Sequence, residues 1–373
     1  MDKIKVFPLS DSQYTSQVYS GLFDLAAARE IDLEFTWSPQ VSIRERGWGS
    51  KTNHRIVYME IWENSNGPPC KVCYDMLDGP EIISIEGLEQ CDVYFKRSYS
   101  QKCINSRSDT GWQLDHPEWR DKILPYGLNY PCSTKFEFSK LKRHLIFNYA
   151  TGWYYQDPIG KLRLLAKRLI KGAPSAAAIY EVEPDEEAEP YILFQTRLFD
   201  PHRHPPTYFE ENVNLNNFRV AVIQALKKAF GDKFIGGLIP NPYAVEHHSD
   251  LLTTQETSQQ KYAELVRKCQ VVVFTRGLRQ SIGWRLPEYL AMSRCIVSEP
   301  LEYELPSPLQ DGKNYLLFDS PDECVELCKR LLSDKSLVQD MRNNNFNYYM
   351  KYVRPASLIR NTIAAAKEKV REK

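Results

Sequence analysis

The stretch TRGLRQSIGWRLPEYLAM, residues 275–292, decides the fold. It follows the apolar segment 271–275, which has the length and β-branched composition of a buried strand. We expect a helix to open at Pro287, because proline suits the first helical position. This order predicts a β–α unit whose turn lies at the carboxyl end of a parallel strand. Backbone N–H groups and the helix dipole favour an anion at such a turn.

The side chains of this turn suit a phosphorylated ligand. Gly277 and Gly283 allow close backbone approach, and nearby arginines add positive charge. Glu288, in the first helical turn, is placed to accept hydrogen bonds from a ribose diol. The alternative is a surface loop with solvated arginines, in which Glu288 caps its own helix. The arginines of the turn are Arg276, Arg279 and Arg285.

The second half of the chain alternates between strand and helix patterns and predicts a doubly wound domain over 190–352. Strands are predicted at 191–196, 234–238, 271–275, 295–298 and 315–318, and helices at 216–230, 259–269, 287–292 and 321–332.

The first half predicts a second α/β domain, over 1–139. Its strands are predicted at 4–9, 33–37, 55–61, 92–96 and 122–125, with a helix over 16–30, and this alternation favours a mostly parallel sheet. Residues 140–189 are predicted to connect the domains through a basic helix and an acidic linker. Residues 353–373 predict a C-terminal helix that packs back on the first domain.

Composition excludes several classes of protein. The 373 residues hold 48 Lys and Arg against 48 Asp and Glu, so the net charge of zero gives no overall attraction to nucleic acid. No apolar run is long enough to span a bilayer, and the first residues lack the pattern of a secretory signal. We therefore expect a cytoplasmic protein. The nine cysteines fit reduced thiols better than a disulfide framework.

Segment 283–291, GWRLPEYLA, resembles the second half of the Glu-x7-Glu motif of retaining GT-B glycosyltransferases, which use nucleotide sugars. The resemblance gives Glu288 the place of the second Glu, which binds the ribose of the donor. Gln280 stands where the first Glu, which contacts the donor sugar, belongs. Segment 192–198, ILFQTRL, is similar to the family's Gly-Arg-Leu turn, and this similarity implies that Arg197 contacts the donor diphosphate.

The resemblance implies two Rossmann-like domains facing a central cleft. It implies transfer of a sugar from a nucleotide-sugar donor to a glycan or lipid-linked acceptor, without a metal or another cofactor. The alternatives are a nucleotide-sugar epimerase of the same fold and a non-catalytic protein that binds a sugar or nucleotide. Arg197 has the further alternative of an interdomain salt bridge. The donor-site residues predicted in this way are Arg197, Arg276, Gly277, Arg279, Gln280, Ser281, Gly283, Trp284 and Glu288.

The acceptor side is predicted from two features of the first half. Asp11 follows the first strand and is a candidate for acceptor binding or for the base, with an N-cap of the next helix as the alternative. The basic amphipathic segment 161–171, KLRLLAKRLIK, could contact an anionic membrane surface or pack on a core. The aromatic residues of 149–155 could line an acceptor groove or belong to a core.

Metal binding is an alternative at two kinds of motif. Cys70 and Cys73 have the spacing of half a zinc site, but Cys91 and Cys103 do not supply the second half, which favours buried thiols. The histidines of 202–204 and 247–248 lie in loops without a carboxylate at a recognised spacing. We expect no metal site in this protein.

Overall fold

The computed structural model describes residues 1–7, 13–35, 55–63, 67–105, 117–133 and 176–372. Asp11, segment 149–155 and the basic segment 161–171 lie outside the described residues. The chain divides into two compact units. The first unit contains 1–177, 304–306 and 352–373, and the second contains 178–303 and 307–351. The predicted domain boundaries stay predictions.

The first unit is built on a six-stranded sheet with the order β2-β1-β3-β4-β5-β6. β3 runs antiparallel to both of its neighbours, while the other pairs are parallel. β4 is absent from the prediction, because its sequence CKVCYD was interpreted as a cysteine motif and not as a strand. The strands are β1 (Asp2–Phe7), β2 (Ile31–Phe35), β3 (Ile56–Trp62), β4 (Cys70–Asp75), β5 (Val93–Lys96) and β6 (Ile123–Pro125).

The second unit has a five-stranded sheet in which all neighbours are parallel, with the order β11-β10-β9-β7-β8. Together the two sheets confirm the predicted fold class of two Rossmann-like α/β units. The placement of these units on two sides of a cleft stays a prediction. The strands are β7 (Glu189–Thr196), β8 (Phe234–Leu238), β9 (Cys269–Phe274), β10 (Cys295–Ser298) and β11 (Leu316–Leu317).

The predicted helices are present, two of them with different starts, while α2, α3, α4, α6 and α10 were not predicted. The helix predicted from residue 216 begins at Phe209, where Glu210 and Glu211 suit the positive end of its dipole. The helix predicted from Pro287 begins at Arg285. The α-helices are α1 (Ser16–Ala27), α2 (Ile85–Gln90), α3 (Gln101–Asn105), α4 (Pro117–Arg120), α5 (Phe209–Phe230), α6 (Pro242–His247), α7 (Gln259–Lys268), α8 (Arg285–Ala291), α9 (Pro321–Ser333), α10 (Lys335–Tyr348) and α11 (Pro355–Arg371).

The C-terminal helix α11 packs on α1 within the first unit, as predicted. Ile359 and Ile363 of α11 share one buried cluster with Val18 and Leu22 of α1. Gly21 makes the close approach possible, because a Cβ there would lie 2.3 Å from the carbonyl oxygen of Pro355. The first unit is therefore completed by residues from the far end of the chain.

The cysteines of the predicted half-site for zinc are core residues. Cys70 and Cys73 are buried in β4, and burial raises the pKa of the Cys73 thiol well above its usual range. In the part of the chain that the structure describes, no three His, Cys, Asp or Glu side chains form a cluster that could hold a metal ion. Among the same residues, no helix is long and apolar enough to cross a bilayer.

We expect Gly21→Ala to destabilise the first unit by roughly 1–3 kcal/mol, because the added methyl group would overlap Pro355 and Ile359. The same change inside an ordinary helix stabilises by about 0.5–1 kcal/mol, so the sign is diagnostic. Thermal unfolding followed by circular dichroism measures the effect. Ala364→Gly, at an exposed position of α11, gives the helix-propensity effect alone. A stabilised Gly21→Ala variant would contradict the packing of α1 on α11.

Candidate functional site

The second sheet reverses its strand order between β7 and β9. β8 lies on one side of β7, whereas β9, β10 and β11 follow in turn on the other side. In open α/β sheets, the crevice outside the carboxyl ends of the strands at such a switch point is where ligands bind. The loops that leave this point are 197–208, after β7, and 275–284, after β9. They carry nearly all of the predicted donor-site residues.

The buried guanidinium of Arg219 ties these two loops together. Its Nη1 donates to the carbonyl oxygen of Arg197 at 2.6 Å, and its Nη2 donates to that of Arg276 at 2.6 Å. Its Nε donates to Oγ1 of Thr275 at 3.2 Å. Burial lowers the pKa of Arg219 to about 10, so the side chain remains charged near neutral pH. Arg219 was not among the residues predicted from the sequence. A charged residue within an apolar run of α5 is the feature that could have indicated it.

The loop after β7 is held at two further points. The side-chain oxygen of Asn216 accepts a hydrogen bond of 3.0 Å from the N–H of Phe199. The side-chain nitrogen of Asn216 donates to the carbonyl oxygen of Phe199 at 2.6 Å. Asn241 donates to the carbonyl oxygen of Leu198 at 2.8 Å. The side chain of Arg197 is exposed on this fixed backbone. Among the described residues, its guanidinium has no ion-pair partner, so it can meet an anionic ligand.

The turn after β9 is closed by its own backbone. The N–H of Gly277 donates to the carbonyl oxygen of Ser281 at 2.8 Å, and the N–H of Ser281 donates to that of Leu278 at 3.1 Å. A Cβ on Gly277 would lie 2.5 Å from Oγ of Ser281, so a larger residue at this position requires the Ser281 side chain to move. A Cβ on Gly283 would lie 3.7 Å from the nearest atom of a non-adjacent residue, in the ring of Phe274, which is an ordinary contact distance. No close contact therefore requires glycine at this position.

This geometry limits which backbone N–H groups of the turn are available to an anion, and anion binding by the others stays a prediction. The N–H groups of Gly277 and Ser281 are used inside the turn, and that of Arg276 donates to Glu299 at 3.0 Å. Helix α8 has seven residues and begins at Arg285. These three N–H groups are therefore not available to a ligand.

Two consecutive residues of this turn, Arg279 and Gln280, adopt left-handed backbone conformations with φ values of 55° and 60°. Such a conformation costs a non-glycine residue about 1–2 kcal/mol. The guanidinium carbon of Arg279 lies 4.5 Å from the ring centroid of Tyr208. The Gln280 amide oxygen accepts a bond of 2.8 Å from Arg276, so Gln280 is oriented by the turn itself.

Arg276 and Arg285 are paired with buried carboxylates. Nε of Arg276 lies 3.3 Å from Oε1 of Glu299, and Nη1 of Arg285 donates to Oε2 of Glu288 at 3.0 Å. Glu288 is 4% exposed, and it pairs with Arg285 instead of capping its own helix. Burial raises the pKa of Glu288, against the opposing effects of Arg285 and the Tyr180 hydroxyl.

Asn212, in the first turn of α5, is a residue that the sequence analysis did not single out. It is 1% exposed, and within the described part of the chain neither atom of its side-chain amide has a hydrogen-bond partner. Its neighbour Glu211 lies 3.5 Å from the amide nitrogen of Gln280, which places this helix turn beside the 277–281 turn. A buried amide without partners is rare and marks a position that a ligand or water can satisfy.

The second unit therefore belongs to the class of parallel α/β domains with a polar site at the switch point. A protein-family model described as glycosyl transferase-like matches residues 219–356, which run from Arg219 past Glu288. No curated protein matches the sequence.

Solved structures resemble larger parts of the chain at low identity. A glycosyltransferase from Rickettsia africae is 10% identical over 80% of this chain and 70% of its own, with a TM-score of 0.40. HepE from Anabaena, in complex with UDP and glucose, is 10% identical over 78% and 70%, with a TM-score of 0.40. A putative UDP-N-acetylglucosamine 2-epimerase from Listeria monocytogenes is 14% identical over 77% of this chain and 62% of its own, with a TM-score of 0.34.

We expect Arg219→Met to lower the free energy of unfolding of the second unit by about 2–4 kcal/mol, because it leaves two loop carbonyl groups without donors. Thermal and urea unfolding, read by tryptophan fluorescence, measure the loss. The matched control is Arg203→Met, on the loop after β7, where the side chain is 74% exposed. Equal losses for both variants would show that Arg219 does not hold the site together.

The pH dependence of stability tests the environment of Glu288. A carboxyl group whose pKa is raised by folding binds more protons in the folded state, so its contribution to stability falls as the pH rises. We expect the wild type to lose stability relative to Glu288→Gln as the pH increases from the ordinary glutamate range through the raised pKa. Urea unfolding of both proteins at matched pH values measures this difference. If the wild type instead became more stable relative to the variant over this pH interval, a raised pKa of Glu288 would be contradicted.

Proposed function

We propose that the protein is a glycosyltransferase whose second unit binds a nucleotide-sugar donor at the switch point between β7 and β9. The observation that carries the proposal is the arrangement around Arg219. This residue fixes the exposed Arg197 and the 277–281 turn side by side. The match to a glycosyl transferase-like model, which spans Arg219 and the turn, supports the same reaction class.

The proposed reaction breaks the bond between the anomeric carbon of the donor sugar and the diphosphate oxygen. The oxygen of an acceptor hydroxyl forms the new bond to that carbon, and its proton leaves. Negative charge develops on the departing nucleoside diphosphate, and Arg197 and Arg279 are the side chains proposed to stabilise it without a metal. Before the donor binds, Arg219 holds the backbone of Arg197, and Tyr208 lies against the guanidinium of Arg279.

The other predicted residues take proposed roles around the donor. Gln280 faces the donor sugar, with its amide group oriented by Arg276. Glu288 is the proposed ribose ligand, and a ribose reaches its buried carboxylate when Arg285 moves aside. Ser281, Gly283 and Trp284 form the remainder of the proposed donor surface.

The acceptor is proposed to be a glycan or a lipid-linked saccharide. Asp11 remains the proposed acceptor ligand or base, and segment 161–171 remains the proposed contact with an anionic membrane surface. A cytoplasmic location, on the side of the membrane where nucleotide sugars are available, is part of the same proposal.

Donor binding gives the sharpest test of this site. We expect Arg197→Ala to weaken the binding of the accepted nucleotide sugar at least tenfold, because one charge-assisted contact to a phosphate is worth roughly 1.5–3 kcal/mol. Arg203→Ala, which removes another arginine of the same loop, should change the affinity less than twofold. Isothermal titration across a panel of nucleotide sugars measures both. Equal affinities for wild type and Arg197→Ala would remove Arg197 from the site.

The reaction class is tested with the same panel. A glycosyltransferase releases nucleoside diphosphate in an acceptor-dependent manner, whereas an epimerase alters the donor without an acceptor. A protein that only binds sugars or nucleotides is stabilised against heat and releases nothing. The neutral Gln280, in the place of a carboxylate, is the observation that makes the non-catalytic outcome worth measuring. Either of the last two outcomes would contradict the proposed transfer.

A further inference from the structure

The inward face of α5 changes from apolar to polar toward the start of the helix. Positions 226, 223, 219, 216 and 212 follow at helical spacings of three or four residues, so they lie on one face. Leu226 and Ile223 belong to the buried core of the second unit, whereas the next three residues are Arg219, Asn216 and Asn212. We call these three the polar face of α5. All of them are buried, with Asn212 only 1% exposed.

Two residues of the polar face are fully bonded by the switch-point loops. All three nitrogen atoms of the Arg219 guanidinium donate hydrogen bonds, and both amide atoms of Asn216 bond the backbone of Phe199. Asn212 lies about 6 Å farther toward the start of the helix, as the helical rise dictates. Neither atom of its amide has a partner among the residues that the structure describes. The loops therefore satisfy the inner part of the polar face and leave its outermost residue unsatisfied.

The start of α5 lies at the carboxyl edge of the second sheet, because α5 follows β7 through the loop 197–208. The helix packs against residues 206–208 of this loop and against residues 278–280 of the turn after β9. Glu211, the sequence neighbour of Asn212, lies 3.5 Å from the amide nitrogen of Gln280. The unsatisfied amide is therefore in the same helix turn as a contact to the residue that is proposed to face the donor sugar.

The chemistry of Asn212 selects the group that can satisfy it. An amide presents an acceptor oxygen and a donor nitrogen side by side. A phosphate or carboxylate offers only acceptors, so it would leave the amide oxygen without a donor. Two hydroxyl groups on neighbouring sugar carbons supply a donor and an acceptor together. The neutral amide thus matches an uncharged pair of hydroxyl groups.

We propose that Asn212 binds two neighbouring hydroxyl groups of the donor sugar and so determines which sugars the site accepts. The identity of the ligand as a donor sugar rests on the proposed function. The buried amide becomes accessible when the 277–281 turn, which packs on α5, moves. The left-handed conformations of Arg279 and Gln280 make the present arrangement of this turn costly, which favours such a movement. A sugar without these hydroxyl groups leaves the amide unsatisfied and is rejected.

Isothermal titration tests the proposal with two ligands: the nucleotide sugar of the panel that binds most tightly, and its own nucleoside diphosphate. Leucine has nearly the shape of asparagine but no polar atoms. We expect Asn212→Leu to weaken binding of the nucleotide sugar roughly tenfold or more, because two hydrogen bonds are lost. The affinity for the nucleoside diphosphate, which carries the ribose but no donor sugar, should change less than about twofold.

Deoxy analogues of the same nucleotide sugar identify the hydroxyl groups that Asn212 contacts. Removing a contacted hydroxyl group should weaken binding to the wild type several-fold and leave binding to Asn212→Leu unchanged within about twofold. A loss of equal size in both proteins for every analogue would overturn the contact.

Thermal unfolding of the unliganded proteins gives a second, independent measurement. Asn212→Leu removes an unsatisfied amide, so we expect it to raise Tm by roughly 2–4 °C more than Asn217→Leu does. This control makes the same change in helix propensity at an exposed position of α5 and should leave both affinities within about twofold. Asn216→Leu, which breaks the bonds to Phe199, should lower Tm.

A damaged fold would not produce a higher Tm together with a selective loss of sugar binding. An unchanged affinity of Asn212→Leu for the nucleotide sugar, or equal losses for both ligands, would overturn the inference and leave the proposed donor site in place. A lower Tm of Asn212→Leu would show that the amide is already bonded without a ligand, and would also overturn it. If no nucleotide sugar binds to the wild type, the proposed function and this inference fail together.

Discussion

The candidate donor site of the second unit depends on the buried cation of Arg219. Placing the Arg219 guanidinium inside a protein is unfavourable unless its donors are satisfied, and here they bond the backbone or hydroxyl groups of both switch-point loops. The bonds reach the carbonyl groups of Arg197 and Arg276, so those residues keep their side chains for other partners. A single interaction thus sets the spacing between the two loops that carry the candidate donor site.

In the first unit, a buried ion pair orders the loops beyond the sheet. Lys96 and Asp75 end two neighbouring strands, and their bonds to the following carbonyl and N–H groups order the loops beyond the sheet. Burial lowers the pKa of Lys96, against the attraction of Asp75, and the fully bonded pair is compatible with the core. In both units, polar groups that are inaccessible to solvent position charged groups that lie nearer to it.

Periodicity predicted most of the fold, because strand and helix patterns are properties of neighbouring residues. It failed where a second motif concealed the strand pattern or where the backbone is unusual. β4 pairs with β3 in a hairpin, and its two cysteines concealed its strand pattern. The left-handed conformations at Arg279 and Gln280, neither of them glycine, carry no local signal. Arg219 could not be predicted as a site residue, because the loops that it bonds are distant from it in sequence.

The zero net charge is a sum over the whole chain and does not describe the local charge at each site. Within the described residues, Glu299 compensates Arg276 and Glu288 compensates Arg285, so these pairs maintain structure without presenting charge. The exposed Arg197 has no such carboxylate among the described residues. Electrostatic recognition depends on the charge that remains after internal pairing. In the second unit that remainder includes Arg197, which lies at the carboxyl edge of the sheet, where a ligand with phosphate groups gains most from binding.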